Sequence, residues 1–286
     1  MYKILSRKDL NPTVTQMEIE APLVANKAKA GQFIILRVDE DGERIPLTVA
    51  GVNKETGAVK IIFQIVGATT EKLNHKHAGD SIQDFVGPLG KPTAIEGKKR
   101  VCIVGGGVGC AIALPVAQAF KAQGTEVVSI IGFRSKDLLI LEDEFKAVSE
   151  KLIVMTDDGS YARKGNVTVP LKEMLEAGEK FDEIITIGPL IMMKFVTLTA
   201  KPFNVPVTVS MNPIMIDGTG MCGGCRLTLT EDGKRVTKFA CVDGPDFNGY
   251  EVDFDEAMSR SRMYFPFERK AYEETCNLYK AAGQNA

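Results

Sequence analysis

The sequence predicts an α/β plus β chain with three parts: an all-β barrel in residues 1–96, a parallel α/β unit of nucleotide-binding type in 97–209, and a small cysteine-bearing unit in 210–286. Three observations carry this reading. Short β-branched and aromatic runs, punctuated by Gly, Asp and Asn, fill the first ninety residues. Apolar strands and helical stretches then alternate, and three of the six cysteines crowd between positions 222 and 241. With 286 residues, 44% hydrophobic and 25% charged, the chain has the make-up of a globular protein with room for two or three such units. A net charge of −2 offers no basic footprint for nucleic acid. No run approaches the ~20 apolar residues that cross a membrane, and charge at the start interrupts the apolar core of a secretory signal. The expectation is a cytoplasmic protein with no nucleic-acid or membrane partner, its cysteines kept as thiols.

In the first part, residues 14–20 alternate, residues 31–38 form a strongly apolar run, and residues 58–66 are rich in β-branched side chains; strands at this spacing close into small barrels. Two short motifs lie among them, Arg44-Ile-Pro-Leu-Thr48 and Gly67-Ala-Thr-Thr70, the second entering a short helix. An Arg on a Pro-bounded strand, with Gly and Thr at a helix start, suits a diphosphate. A solvated edge and a plain helix cap explain the same residues.

The middle part is more explicit. The strand of residues 99–104 runs into Gly105-Gly106-Gly107-Val108-Gly109 and an apolar helix over 110–120, the strand–glycine turn–helix arrangement that brings backbone close to a pyrophosphate. Strands at 126–131, 152–155, 183–187 and 205–210 alternate with helices at 142–149, 171–177 and 190–198, which predicts a parallel sheet wrapped by helices. The turn departs from the dinucleotide fingerprint: Cys110 takes the place of the third glycine, and the second strand ends at Arg134-Ser-Lys136 with no acidic residue for a ribose hydroxyl. Arg134 suits an adenosine ribose or a 2′-phosphate, and a solvated loop accounts for it equally well, so NAD and NADP stay open. Gly188-Pro189 lies at another strand end, where open α/β sheets bind ligands, although a strand-to-helix turn with Pro at the first helical position reads the same way.

In the last part, Asp217-Gly-Thr-Gly-Met-Cys222-Gly-Gly-Cys225 is followed, after fifteen residues, by Cys241. This is the plant-type Cys-x4-Cys-x2-Cys…Cys spacing of a two-iron cluster, with Asp where the first Cys would stand. Residues 226–241 form a hairpin pattern that returns Cys241 to Cys225. A thioredoxin-like pair needs a helix after its Cys-x-x-Cys, and here a strand follows. Structural zinc commonly uses four cysteines, or three with a histidine, and His75 and His77 lie far upstream. Cys102, Cys110 and Cys276 read as ordinary small thiols. A charged tail after 256 includes a helical stretch at 271–279.

The order of these motifs, with the terminal Cys241-Val-Asp-Gly-Pro-Asp-Phe, resembles the ferredoxin reductase superfamily over nearly the whole chain. Within it the chain resembles the electron-transfer subunit of dihydroorotate dehydrogenase, and more closely the small subunits of NADH-dependent reduced ferredoxin:NADP oxidoreductases, electron-bifurcating transhydrogenases that also carry Asp at the first cluster position. The resemblance implies an FAD-binding barrel, with Arg44, Pro46, Leu47 and Thr48 along the flavin and Gly67, Thr69 and Thr70 at its diphosphate. It implies NAD(H) or NADP(H) across Gly105, Gly106, Gly107, Gly109, Gly188 and Pro189, and a 2Fe-2S cluster on Asp217, Cys222, Cys225 and Cys241. Related reductases have Cys just before the Gly-Pro pair, where this chain has Ile187. The implied activity is electron transfer among nicotinamide nucleotide, flavin and cluster, with no catalytic side chain. The implied partner is a larger FAD and 4Fe-4S subunit, and through it ferredoxin. A dihydroorotate dehydrogenase or hydrogenase diaphorase subunit is the alternative within the class. A zinc-stabilised, non-catalytic nucleotide-binding regulatory subunit is the alternative outside it.

Overall fold

A computed structural model describes residues 1–281; residues 282–286 of the third predicted part lie outside the described residues. The chain begins with β1 (Tyr2–Asn11), β2 (Val14–Glu20), a turn of helix α1 (Pro22–Ala25), β3 (Phe33–Arg37), β4 (Arg44–Thr48), β5 (Gly51–Asn53), β6 (Ala58–Gln64), α2 (Ala68–Asn74), β7 (Ser81–Ile82) and β8 (Asp84–Leu89). They pair antiparallel in two sheets, β5-β6-β2-β1-β7 and β4-β3-β8, closed over one core that includes Ile4, Met17, Ile34, Leu36, Ile61 and Phe85.

The strand β3 explains its own unbroken apolar run. Ile34 and Leu36 point into the barrel, while Phe33 and Ile35 join a second core with Met215, Cys225 and Cys241. Because successive side chains leave a strand on opposite faces, a strand covered on both sides has no place for polar alternation. The weak sequence signal of β1 has the opposite cause: much of it faces solvent, and its charged residues hide the pattern.

The second unit runs β9 (Arg100–Gly106), α3 (Gly109–Ala122), β10 (Glu126–Phe133), α4 (Glu142–Val148), β11 (Lys151–Thr156), β12 (Arg163–Lys164), α5 (Thr168–Glu176), β13 (Glu183–Ile187), α6 (Leu190–Ala200) and β14 (Val207–Ser210). The third adds β15 (Arg226–Glu231), β16 (Lys234–Phe239), β17 (Asp246–Asn248), α7 (Phe254–Ser261) and α8 (Phe265–Ala281). The main sheet has the order β12-β11-β10-β9-β13-β14-β17, parallel except for β17, which pairs antiparallel with β14. From β9 the chain steps outward to β12, then returns to the other side of β9 with β13. The switch point therefore falls between β9 and β13, and their carboxyl ends flank the crevice where such sheets take ligands. The last part of the chain also reaches the barrel, since α8 packs on α2.

Candidate functional site: a glycine crevice and a cysteine loop

Two glycine turns meet at the switch point. Gly109 starts α3 where a Cβ would lie 2.5 Å from the Ile187 carbonyl oxygen and 2.7 Å from the Gly188 Cα, so only glycine lets the helix press on the β13 turn. This close approach is the part played by the third fingerprint glycine, here one residue earlier than the spacing predicts. Cys110 is fully buried beneath the turn, and burial pushes its thiol well above the ordinary range, as it does for Cys102, pushed up to about 12. Neither thiol is poised to react.

Gly107 has φ +55° and open space around it, its N–H bonded to the Gly132 carbonyl at 2.9 Å. Pro189 is the N-cap of α6 rather than its first helical residue, which leaves the Met193 N–H to close on the Pro189 carbonyl at 3.1 Å. Arg134 is exposed at the carboxyl end of β10, and its side chain makes no ion pair among the described residues. At the opposite, amino-terminal edge of the sheet, a crevice of about 540 Å³ is lined by Glu183, Lys201, Thr208 and Tyr250. Its carboxylate is already paired with Lys98, and its phenol donates to the Val205 carbonyl.

On the barrel, Arg44, Pro46, Leu47 and Thr48 form the half-buried edge strand β4, the position in a sheet that tolerates proline. Arg44 Nε donates to the Ile216 carbonyl at 2.8 Å, a tie across 172 residues that the sequence does not announce. Gly67 is the N-cap of α2; the Thr70 hydroxyl accepts from the Val66 and Gly67 N–H groups, each at 3.0 Å, and donates to the Gly67 carbonyl. Thr69 donates to Glu43 Oε2 at 2.9 Å. Both hydroxyls thus serve the fold, and the first-turn amides that no helix can pair internally are what α2 offers an anion.

The cysteine loop connects β14 to β15. Gly218, Gly220 and Gly223 all have φ between +68° and +84°, conformations that strain any residue with a Cβ. Gly218 is further held because a Cβ there would meet Leu89 Cδ1 at 2.6 Å and Ile35 Cδ1 at 3.0 Å, so the loop lies directly on β3 and β8 of the barrel. The β15–β16 hairpin pairs Arg226 with Phe239, and just beyond its open end the Cys225 and Cys241 sulfurs are 3.2 Å apart, both buried. Burial and the neighbouring Cys225 thiol push the Cys241 thiol up to about 12.

Cys222 is exposed, with the Gly224 N–H 3.4 Å from its sulfur. Asp217 folds back on the loop: Oδ1 accepts from Thr219 N–H at 3.0 Å, and Oδ2 from Met221 and Cys222 N–H at 3.1 and 2.8 Å. Those amides, the Thr219 N–H foremost, hold its carboxyl down at about 2. No three of the expected ligands converge on one point among the described residues. The loop pairs Cys225 with Cys241 and links Asp217 to Cys222 through backbone.

The donor set nonetheless suits a cationic cluster. Two buried thiols in contact become thiolates together when a cation sits between them. A carboxylate has about four lone-pair positions, and Asp217 uses three, leaving one on Oδ1. The left-handed glycines let the loop turn tightly around its cysteines, and loop amides not bonded to Asp217 would be the donors available to a cluster's sulfurs.

Residues 212–253 match the model of the iron–sulfur cluster binding domain of dihydroorotate dehydrogenase B. A Thermotoga maritima protein named as a homolog of the dihydroorotate dehydrogenase B (NAD(+)) electron transfer subunit is 46% identical over 285 residues, covering 100% of this chain and 98% of that one. An uncharacterized protein in the adh 3′ region of Clostridium beijerinckii is 50% identical over 282 residues, covering 96% of this chain and 94% of its own. Among solved structures, a chain reported for NADH-dependent reduced ferredoxin-NADP oxidoreductase, in connection with flavin-based electron bifurcation, superposes with TM-score 0.88 at 46% identity, covering 96% of this chain and 97% of that one. The fold is of the ferredoxin-reductase type with an iron–sulfur domain at its carboxyl end. The chain belongs to the family of dihydroorotate dehydrogenase B electron-transfer subunits and their homologues.

Proposed function

We propose that this chain is the flavin and iron–sulfur electron-transfer subunit of a cytoplasmic oxidoreductase, working as the small subunit of an electron-bifurcating NADH-dependent ferredoxin:NADP oxidoreductase does. It would exchange electrons with a larger FAD and 4Fe-4S subunit, and through it with ferredoxin. Residues 1–96 serve the flavin, 97–209 the nicotinamide nucleotide and 210–286 the cluster. The observation that carries the reading is the seat of the cysteine loop on the barrel: Gly218 against Ile35 and Leu89, and Arg44 on the Ile216 carbonyl.

In this reading β4 and the start of α2 hold FAD, and the turns at Gly105–Gly109 and Gly188-Pro189 orient NAD(H) or NADP(H). The buried pair Cys225 and Cys241 would hold a 2Fe-2S cluster together with exposed Cys222 and half-buried Asp217. Bound FAD supplies the conversion between a hydride's electron pair and the single electrons a cluster carries. The protein's own residues position and shield: Phe33, Ile35 and Met215 keep water from the space between barrel and loop. Arg134, with no carboxylate paired to it among the described residues, suits a 2′-phosphate and leaves the nucleotide choice to titration. The dihydroorotate dehydrogenase reading draws on the domain match and on the electron-transfer-subunit relatives; against it stands the first ligand position, which here is Asp217 instead of Cys.

Purified protein should show flavin bands and iron–sulfur charge-transfer absorption, and should co-purify from its source with a larger flavin and iron–sulfur subunit. Colourless, zinc-loaded protein would overturn the assignment in favour of a regulatory subunit.

A further inference from the structure

We propose that α7 and α8 form a strap that fixes α2 at a set distance from the cysteine loop, with His75 and Tyr279 as its positioning residues. The proposal rests on the flavin and cluster reading above, which gives its two positioning residues no task.

The strap starts at the loop. Asp253 caps α7 by accepting the Glu256 N–H at 2.9 Å, and Arg260, in the last turn, reaches the Gly224 carbonyl of the loop at 3.4 Å. The long helix α8 then crosses to the barrel. Its Thr275 is buried, and its Tyr279 ring stacks on the His75 ring with centroids 3.7 Å apart and planes 22° from parallel. His75 is the C-cap of α2, and its Nε2 lies 3.3 Å from Glu71 Oε1, a carboxylate on α2 left only 2% exposed.

From α2 the contacts continue into the β3–β4 turn, through Thr69 to Glu43 and Lys72 to Asp39 at 3.2 Å. They return to the loop through Arg44 and the Ile216 carbonyl. Loop, α7, α8, α2, turn and loop therefore close a ring. An exposed ion pair or a single hydrogen bond fixes little alone. In a closed ring each contact shortens the excursions of the others, so the separation of α2 from the loop is held from both sides. The stacked rings are the link made by side-chain shape rather than charge, so they persist at high salt.

What such a strap governs is one step only. Transfer of a hydride to the flavin depends on the nucleotide and the barrel, whereas passage of single electrons from flavin to cluster falls steeply as their separation grows. Loosening the strap should slow the second and spare the first. The test is rapid mixing of the full holoprotein with NADH, or with NADPH if NADH leaves the flavin oxidised, following flavin and cluster absorption separately.

Tyr279→Ala is expected to slow cluster reduction several-fold at unaltered flavin reduction and cluster EPR. Tyr279→Phe keeps the ring and should restore the rate, and His75→Leu removes the stack from the other side should Tyr279→Ala fail to fold. Unchanged cluster reduction in both Tyr279→Ala and His75→Leu overturns the strap, as does an equal slowing of the flavin and cluster phases. Protein with neither flavin nor cluster absorption instead overturns the functional reading beneath it.

Discussion

The glycine crevice and the cysteine loop solve similar problems, bringing backbone close to a charged group, by different means. At the crevice, the sheet does the work: β9 and β13 end side by side, and Gly109 is required because Ile187 and Gly188 are already there. In the loop no regular element spans residues 211–225, and shape comes from Asp217 gathering three amides and from left-handed glycines. A site built on strands is held more precisely than one on a loop, whose shape rests on its own anchors.

The sharpest break in that contrast is expected at the buried sulfurs. Cys225→Ser or Cys241→Ser should remove the cluster absorption entirely while circular dichroism stays that of the folded chain; a retained cluster would show the sulfur is no ligand. At the crevice, Gly109→Ala forces a Cβ onto the Ile187 carbonyl and should cost about 1–3 kcal/mol, read as a lowered denaturant midpoint. Gly107→Val is milder, since its surroundings are open and only its φ is strained: nucleotide titration should weaken about ten-fold with FAD still bound. An unchanged titration would move the nucleotide away from this turn.

Asp217 tests the loop more finely. Asp217→Cys should keep the cluster at a shifted potential, because a thiolate replaces a harder oxygen ligand. A redox titration and EPR spectrum identical to the unaltered protein would make Asp217 an anchor only.

The smallest effect concerns Asp246, which sits where linker and sheet meet, its Oδ2 accepting from the Thr93 hydroxyl at 2.6 Å and its Oδ1 without a partner among the described residues. Burial raises its carboxyl above the ordinary range. The folded state thus holds the proton to higher pH than the unfolded chain. Its contribution to stability is full below the unfolded value of about 4 and declines as pH rises through the folded one. Asp246→Asn keeps the acceptor for Thr93 and carries no titration, so its urea midpoint should change less between about pH 4 and about pH 8 than that of the native chain. Parallel pH profiles would count against a raised carboxyl.

Much of this was legible in residue order because its signals are local. The strand, glycine and helix sequence around Gly105, the hairpin from 226 to 241 and the spacing of the cysteines each report structure built by neighbours. What escaped were contacts between distant parts: Arg44 with Ile216, Gly218 against Leu89, His75 beneath Tyr279. The reading of Thr70 as either cap or ligand is clarified in the same way, since its hydroxyl closes its own helix. Short strands such as β7, β12 and β17 escaped as well, being two or three residues long and defined only by the partner they meet.

The double-sided burial of β3 has a further consequence for how the molecule comes apart. Ile34 and Leu36 belong to one core, Phe33 and Ile35 to another, and pulling this strand out empties both at once. The barrel and the cysteine loop should therefore melt in a single transition, with flavin release and loss of cluster colour superimposed on one denaturation curve. A fragment beginning at residue 210 would leave the apolar wall of its own core behind.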